Sequence, residues 1–159
     1  MVFPESATLH AVPDEAVLRD LPEGVVLVIE VAAALIRDAA GRYLITQRRS
    51  GSHLEGLWEF PGGKREAGET LDACLRRELT EELSATFDVG ERLETVRWTY
   101  PDKTVVIHFF RCRLAAGAIE AREAQETAWV APERLGDYAF PPADDTLVAR
   151  LRKTSREIA

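Results

Sequence analysis

The sequence predicts a mixed α/β domain, a mixed β-sheet sandwiched between helices. Three observations predict it. Strand-like and helix-like segments alternate along a single chain of 159 residues. One of these segments, residues 25–37, is a nearly unbroken run of Val, Ile, Leu and Ala, the pattern of a strand buried on both faces. Short polar turns join several neighbouring segments, so some strands must run antiparallel while helical crossovers make others parallel.

Residues 1–24 carry Pro4, Pro13 and Pro22 among mixed charges and read as an N-terminal extension, with a short helix expected near residues 14–18. The buried strand follows. Asp38-Ala-Ala-Gly41 is a turn, and the alternating residues 42–48 are its expected hairpin partner. A short strand at 57–60 runs into Pro61-Gly62-Gly63, a strong breaker. Residues 70–83 form a helix, with Thr70 as its N-cap and Asp72 complementing the positive end of its dipole. Residues 92–100 and 103–113 form a second hairpin that turns at Pro101-Asp102. A strand at 127–130, a short helix at 132–135 and a C-terminal helix at 145–156 complete the order. The domain proper spans residues 25–159.

Composition narrows the function. Hydrophobic residues make up 46% and charged residues 30%, which excludes a disordered chain or a disulfide scaffold. The two cysteines, Cys74 and Cys112, read as small core residues of a reducing compartment. A net charge of −7 argues against binding nucleic-acid polymers, which calls for a basic face. An acidic protein still binds a small polyanion when cations sit between them. The longest apolar stretch, 25–36, is interrupted by Glu30 and is too short to span a bilayer. No basic segment followed by an apolar one opens the chain, so the expected compartment is the cytoplasm, with no membrane partner.

The helix at 70–83 departs from the generic. At about 100° per residue, Leu71, Cys74, Leu75 and Leu79 share one side. Glu78 and Glu82 fall inside that apolar arc, within roughly 20° of Leu71, and Glu81 lies at its edge. A solvated acidic face would lie opposite the apolar stripe. Carboxylates within it are costly unless they are paired or hold a metal. Three carboxylates without His or Cys suit hard cations such as Mg²⁺ or Mn²⁺. Just upstream, Gly62-Gly63-Lys64 offers close backbone approach and a positive charge for phosphate. The combination points to phosphate-ester or phosphoanhydride chemistry.

Residues 63–85, GKREAGETLDACLRRELTEELSA, resemble the signature of the Nudix hydrolases. The matching positions are Gly63, Glu69, Arg77, Glu78, Leu79, Glu81 and Glu82. The departures are Ser84, where the family has Gly, and Ala85 at the last apolar place. Outside the signature, the chain is similar to the MutT-like branch of the family. That likeness rests on Leu57-Trp58-Glu59-Phe60-Pro61-Gly62-Gly63-Lys64, Tyr100-Pro101-Asp102-Lys103, Glu123-x-Gln125 before Trp129, and Phe140-Pro141-Pro142-Ala143-Asp144.

The resemblance implies a Nudix fold and hydrolysis of a nucleoside triphosphate to the monophosphate and pyrophosphate. By the same resemblance Glu78, Glu81, Glu82, Glu123 and the Gly62 carbonyl hold Mg²⁺, with Mn²⁺ as a substitute. Glu78 or Glu123 helps deprotonate the attacking water, and Arg77 orients a glutamate. Arg48, Phe60, Lys64, Tyr100, Lys103 and Asp144 contact substrate. 8-oxo-dGTP is the leading substrate and pool sanitation, a contribution to DNA repair, the leading role. A cytosine nucleotide is the alternative, because Asp144 stands where the branch has Asn. A sensor domain that binds nucleotide without hydrolysis is a further reading, weakened by the intact glutamates. An RNA 5′-end substrate gains nothing from the negative charge. The expected unit is a monomer or a homodimer. Trp58 and Phe60 also fit plain core packing, and Asp144 also fits a helix cap. His10, His53 and His108 show no ligand spacing.

Overall fold

The computed structural model describes residues 8–9, 26–52, 54–122 and 126–158. The apolar run folds as the strand β2 (Val26–Ile36), in the interior of the main sheet. Its neighbours are the short β1 (Thr8–Leu9), the three-residue β5 (Gly62–Lys64) and β7 (Thr104–Ala116), with β6 (Thr86–Thr99) beyond β7. β2 runs parallel to β1 and β7 and antiparallel to β5, while β6 and β7 form the long antiparallel hairpin. The sheet is therefore mixed, as expected. Within residues 1–24 only β1 is described, and the helix expected near 14–18 lies outside the described residues.

The hairpin expected after residue 37 is corrected. The turn forms: the Asp38 carboxylate accepts from the amides of Ala40 and Arg42 at 3.0 and 2.8 Å. Beyond one bridge between Arg37 and Tyr43, the strands separate. β3 (Tyr43–Gln47) instead joins β4 (Trp58–Glu59) and β8 (Thr127–Val130) in a second, antiparallel sheet. Two sheets stand where a single one was expected. Tyr43 and Ile45 turn into one core and Leu44 into the other, so β3, like β2, is buried on both faces. The breaker at 61–63 is likewise corrected: Gly62-Gly63-Lys64 is a strand on β2, led in by the Ala34 amide donating to the Pro61 carbonyl at 2.7 Å.

Two cores flank β2, in step with its period of two. Ala32, Ala34 and Ile36 pack with Cys74, Leu75, Leu79 and Leu83 of the helix α1 (Leu71–Leu83). Ala33 and Leu35 pack on the other side with Tyr43, Ile45, Phe60 and Phe109. That side also holds Leu135 from the 3₁₀ turn Pro132–Asp137, and Leu147 and Val148 from the helix α2 (Asp145–Ile158). Cys74 and Cys112 are buried and free, and serve as packing. Among the described residues no helix is long and apolar enough to cross a membrane.

Candidate active site

The site is built on β5 and α1. Thr70 caps α1, its hydroxyl accepting from the Ala73 amide at 3.1 Å. Gly62 faces Ala33 of β2, and Gly63 faces Ala32. A Cβ on Gly62 would lie 2.0 Å from the Ala32 carbonyl oxygen, and one on Gly63 would lie 2.2 Å from the Glu78 carboxyl carbon. The glycines thus let β5 seat on β2 and let the Glu78 carboxylate lie against the backbone. The Cys74 thiol donates to the Gly63 carbonyl at 3.6 Å and ties α1 to β5.

Arg77 organises the acidic side chains. Its Nε and Nη2 donate to Glu69 at 3.1 and 2.6 Å, a two-pronged pair. Nη1 donates to Glu78 Oε1 at 2.9 Å, and Nη2 also reaches the Lys64 carbonyl at 3.2 Å. Glu81, half exposed, lies 3.6 Å from the same guanidinium. The hydrogen bonds from Arg77 hold the Glu69 carboxyl down at about 2, and Glu69 and Glu78 in return raise the Arg77 pKa. The Glu69–Arg77 pair is therefore ionised throughout the physiological range.

On the other side of β5, a cavity of about 390 Å³ opens. It brings together eight of the residues singled out from sequence: Arg48, Phe60, Gly62, Lys64, Glu78, Tyr100, Lys103 and Asp144. Ile29, Val31, Val105, Ile107 and Phe109 supply apolar wall. Phe60 is both core and wall: it stacks on Phe140 at 5.4 Å and meets Phe109 edge-on at 6.0 Å. Trp58 packs edge-on against Tyr138 and does not line the cavity. Glu82 lines a smaller neighbouring space of about 140 Å³ with Arg48, Arg49 and Glu59. Glu123 lies outside the described residues. The described chain breaks off at Arg122, whose amide donates to the Glu82 carbonyl at 2.8 Å.

Charge in the cavity is arranged by sign. Burial, with Lys103 and Arg48 nearby, lowers the Lys64 pKa. Burial raises the Tyr100 hydroxyl, helped by Asp144. Asp144, only 5% exposed, faces the cavity from the 3₁₀ turn Pro142–Asp144. Burial pushes its carboxyl up to about 7, with Glu59 and then Asp145 adding to the rise. Glu59 escaped the sequence reading. Arg48 Nη1 donates to it at 2.8 Å and opposes the upward push of burial. The available signal was an acidic residue set between two aromatics, Trp58 and Phe60, in a short strand.

The donor set around α1 is all oxygen and fits a hard divalent cation. Among the described residues, no three His, Cys, Asp or Glu side chains gather closely enough to cage a metal. Mg²⁺ does not need such a cage, because it commonly takes one or two carboxylates and completes its shell with water and substrate phosphate.

An acidic helix, a glycine strand laid against it and a cavity with cationic and apolar walls define a class: mixed α/β hydrolases of phosphoanhydrides. The chain belongs to the Nudix family, since a NUDIX domain matches residues 32–150. It is 39% identical over 124 residues to the 8-oxo-dGTP diphosphatase of Haemophilus influenzae, covering 78% of this chain and 91% of that one. It is 37% identical over 120 residues to the CTP pyrophosphohydrolase of Escherichia coli, covering 76% and 88%. The crystal structure of a MutT protein from Methanosarcina mazei superposes with a TM-score of 0.71 at 28% identity, covering 80% of this chain and 95% of that one. The chain is a Nudix hydrolase of MutT-like type. Hydrolases of this family generally use divalent metal ions.

Proposed function

We propose that the chain hydrolyses nucleoside triphosphates to the monophosphate and pyrophosphate in the cytoplasm, preferring 8-oxo-dGTP. The observation that carries this preference is the buried Asp144 carboxyl, which titrates at about 7. Near neutrality a large share of it is the neutral acid. A neutral carboxyl both donates and accepts, as the Asn of the MutT-like branch does. Oxidised guanine presents N7–H beside O6, a donor and an acceptor that such a group matches. Unmodified guanine presents two acceptors there, and a neutral carboxyl satisfies only one of them.

The remaining residues suit that substrate. Phe60 and Phe109 offer apolar wall to the base, and Lys64, Lys103 and Arg48 offer positive charge to the phosphates. Glu78, Glu81, Glu82 and Glu123, with the Gly62 carbonyl, are the donors for Mg²⁺ or Mn²⁺. When bound, the cation offsets phosphate charge and lowers the pKa of water. Arg77 holds one oxygen of Glu78. Glu78 or Glu123 takes the proton of the attacking water, whose oxygen joins one of the two phosphorus atoms of the α–β bridge. The bond to pyrophosphate breaks. Residues 25–159 form the catalytic domain and residues 1–24 an extension of it, acting as a monomer or homodimer.

A cytosine nucleotide is the second reading. Arg48 favours the ionised form of Glu59, and a carboxylate accepts from the N4 amino group of cytosine. The relationship to the Escherichia coli CTP pyrophosphohydrolase supports it. A panel of 8-oxo-dGTP, dGTP, CTP, dCTP and ADP-ribose with Mg²⁺, read by pyrophosphate release, tests both. The expected result is pyrophosphate with the highest kcat/KM on 8-oxo-dGTP. Turnover confined to ADP-ribose, with no pyrophosphate from any triphosphate, would overturn the proposal.

A further inference from the structure

A second polar cluster lies on the α1 side of the main sheet, away from the nucleotide cavity. Glu30 interrupts the apolar run of β2, and both its carboxylate oxygens are engaged. Oε2 pairs with Arg65 Nη2 at 2.6 Å. Oε1 faces His108 Nε2 at 3.4 Å. The other ring nitrogen, Nδ1, faces Arg92 Nη1 at 3.3 Å and the Thr95 hydroxyl at 3.4 Å. A guanidinium only donates, so Nδ1 accepts and Nε2 carries the proton it offers to Glu30. Three residues on the neighbouring strands β7 and β6, together with Arg65 just after β5, thereby fix the orientation of Glu30.

Glu30 is joined to Arg77 by two routes. On the backbone, the Arg65 amide donates to the Glu30 carbonyl at 2.8 Å. The carbonyl of that same peptide unit, Lys64 O, accepts from Arg77 Nη2 at 3.2 Å. Through side chains, Arg65 spans from Glu30 to the Glu69 carbonyl, to which Nη1 donates at 3.3 Å. The Glu69 carboxylate in turn holds Arg77, and Arg77 holds Glu78. The two routes close a ring between β2, the 65–70 segment and α1.

We infer that Glu30 and Arg65 are positioning residues for hydrolysis, setting the Arg77 guanidinium and through it the Glu78 carboxylate. The inference rests on the reading of Glu78 as a metal-binding and catalytic group. Neither residue touches the nucleotide cavity, so their loss acts on kcat and cation affinity and spares substrate KM. Outer partners of metal ligands commonly carry about 10-fold or more in metal affinity or activity. Arg65 spans two partners with one planar fork, which a lysine ammonium cannot reproduce.

The test uses the full chain and the variants Arg65→Gln, Arg65→Lys, Glu30→Gln and the double variant Glu30→Gln/Arg65→Gln. Mn²⁺ binding without nucleotide is measured by calorimetry, and kcat and KM on whichever nucleotide the wild type turns over. Arg65→Gln is expected to weaken Mn²⁺ binding and lower kcat by about 10-fold each, with KM unchanged. Arg65→Lys should fall between it and wild type. The double variant should be no worse than Arg65→Gln, because the two residues act as one unit. Full Mn²⁺ affinity and kcat in folded Arg65→Gln would overturn the inference. So would losses that simply add in the double variant, or losses that track thermal stability alone across the set. If Arg65→Gln does not fold, the comparison of Arg65→Lys with Glu30→Gln carries the decision on the same two readouts. A wild type that binds no Mn²⁺ counts against the metal reading itself, which is a separate failure.

Discussion

At the scale of single residues, Asp144 carries the most consequence. Its carboxyl is raised from an ordinary 3.8 to about 7 in the fold. Between those values the folded state binds a proton that the unfolded chain releases. Stability from the neutral form is therefore full below about pH 4 and is lost as pH rises through about 7, up to about 4 kcal/mol in all. Asp144→Asn keeps the shape and carries no charge. It is expected to raise the melting temperature at about pH 8 and to change it little at about pH 4, as thermal scans across pH would reveal. Equal shifts at both ends would mean that the carboxyl is ionised throughout. Glu78 is the second such residue. Glu78→Gln is expected to lower kcat by at least ~10²-fold while the fold stays intact by circular dichroism. Turnover near wild type would remove Glu78 from the chemistry.

At the scale of elements, α1 was the most legible part of the chain. Thr70 as N-cap and the end at Leu83 follow from local chemistry, namely a hydroxyl before an apolar period of 3.6. Its stop is unusual. Ser84 sits in the left-handed region at φ 58°, ψ 25°, where the family carries Gly, and its buried hydroxyl has no hydrogen-bond partner. Ser84→Gly removes both costs. It is expected to stabilise the fold by about 1 kcal/mol, a rise of roughly 2–4 °C in Tm, by differential scanning calorimetry. A fall in Tm would mean that the Ser84 side chain contributes contacts of its own. The strands were less legible. The alternation in β3 marks a strand, but its partners β4 and β8 lie far along the chain, and periodicity carries no information on distant pairing. The three residues of β5 read as a turn because two glycines dominate local propensity; the seat on β2 that those glycines permit is a tertiary fact.

At the scale of the whole molecule, the site is the place where separate pieces of sequence meet. The signature helix was readable in isolation because its residue types recur at a fixed spacing within one element. The cavity residues Arg48, Tyr100, Lys103 and Asp144 come from three segments, and resemblance alone brought them together before the fold did. Glu59 and the Glu30–Arg65–His108 cluster went unread because a charged residue between aromatics or in an apolar strand has no periodic signal of its own. The account as a whole turns on the protonation of Asp144 setting the choice of base. The direct measurement is the ratio of kcat/KM for 8-oxo-dGTP over CTP, in wild type and Asp144→Asn, from about pH 6 to about pH 8. The account predicts a wild-type ratio that is highest at the acid end and falls as Asp144 ionises, and a ratio in Asp144→Asn that stays flat and high, the difference at the alkaline end amounting to about 1–3 kcal/mol. A wild-type ratio that favours CTP at every pH, or one that Asp144→Asn leaves unmoved, would contradict it.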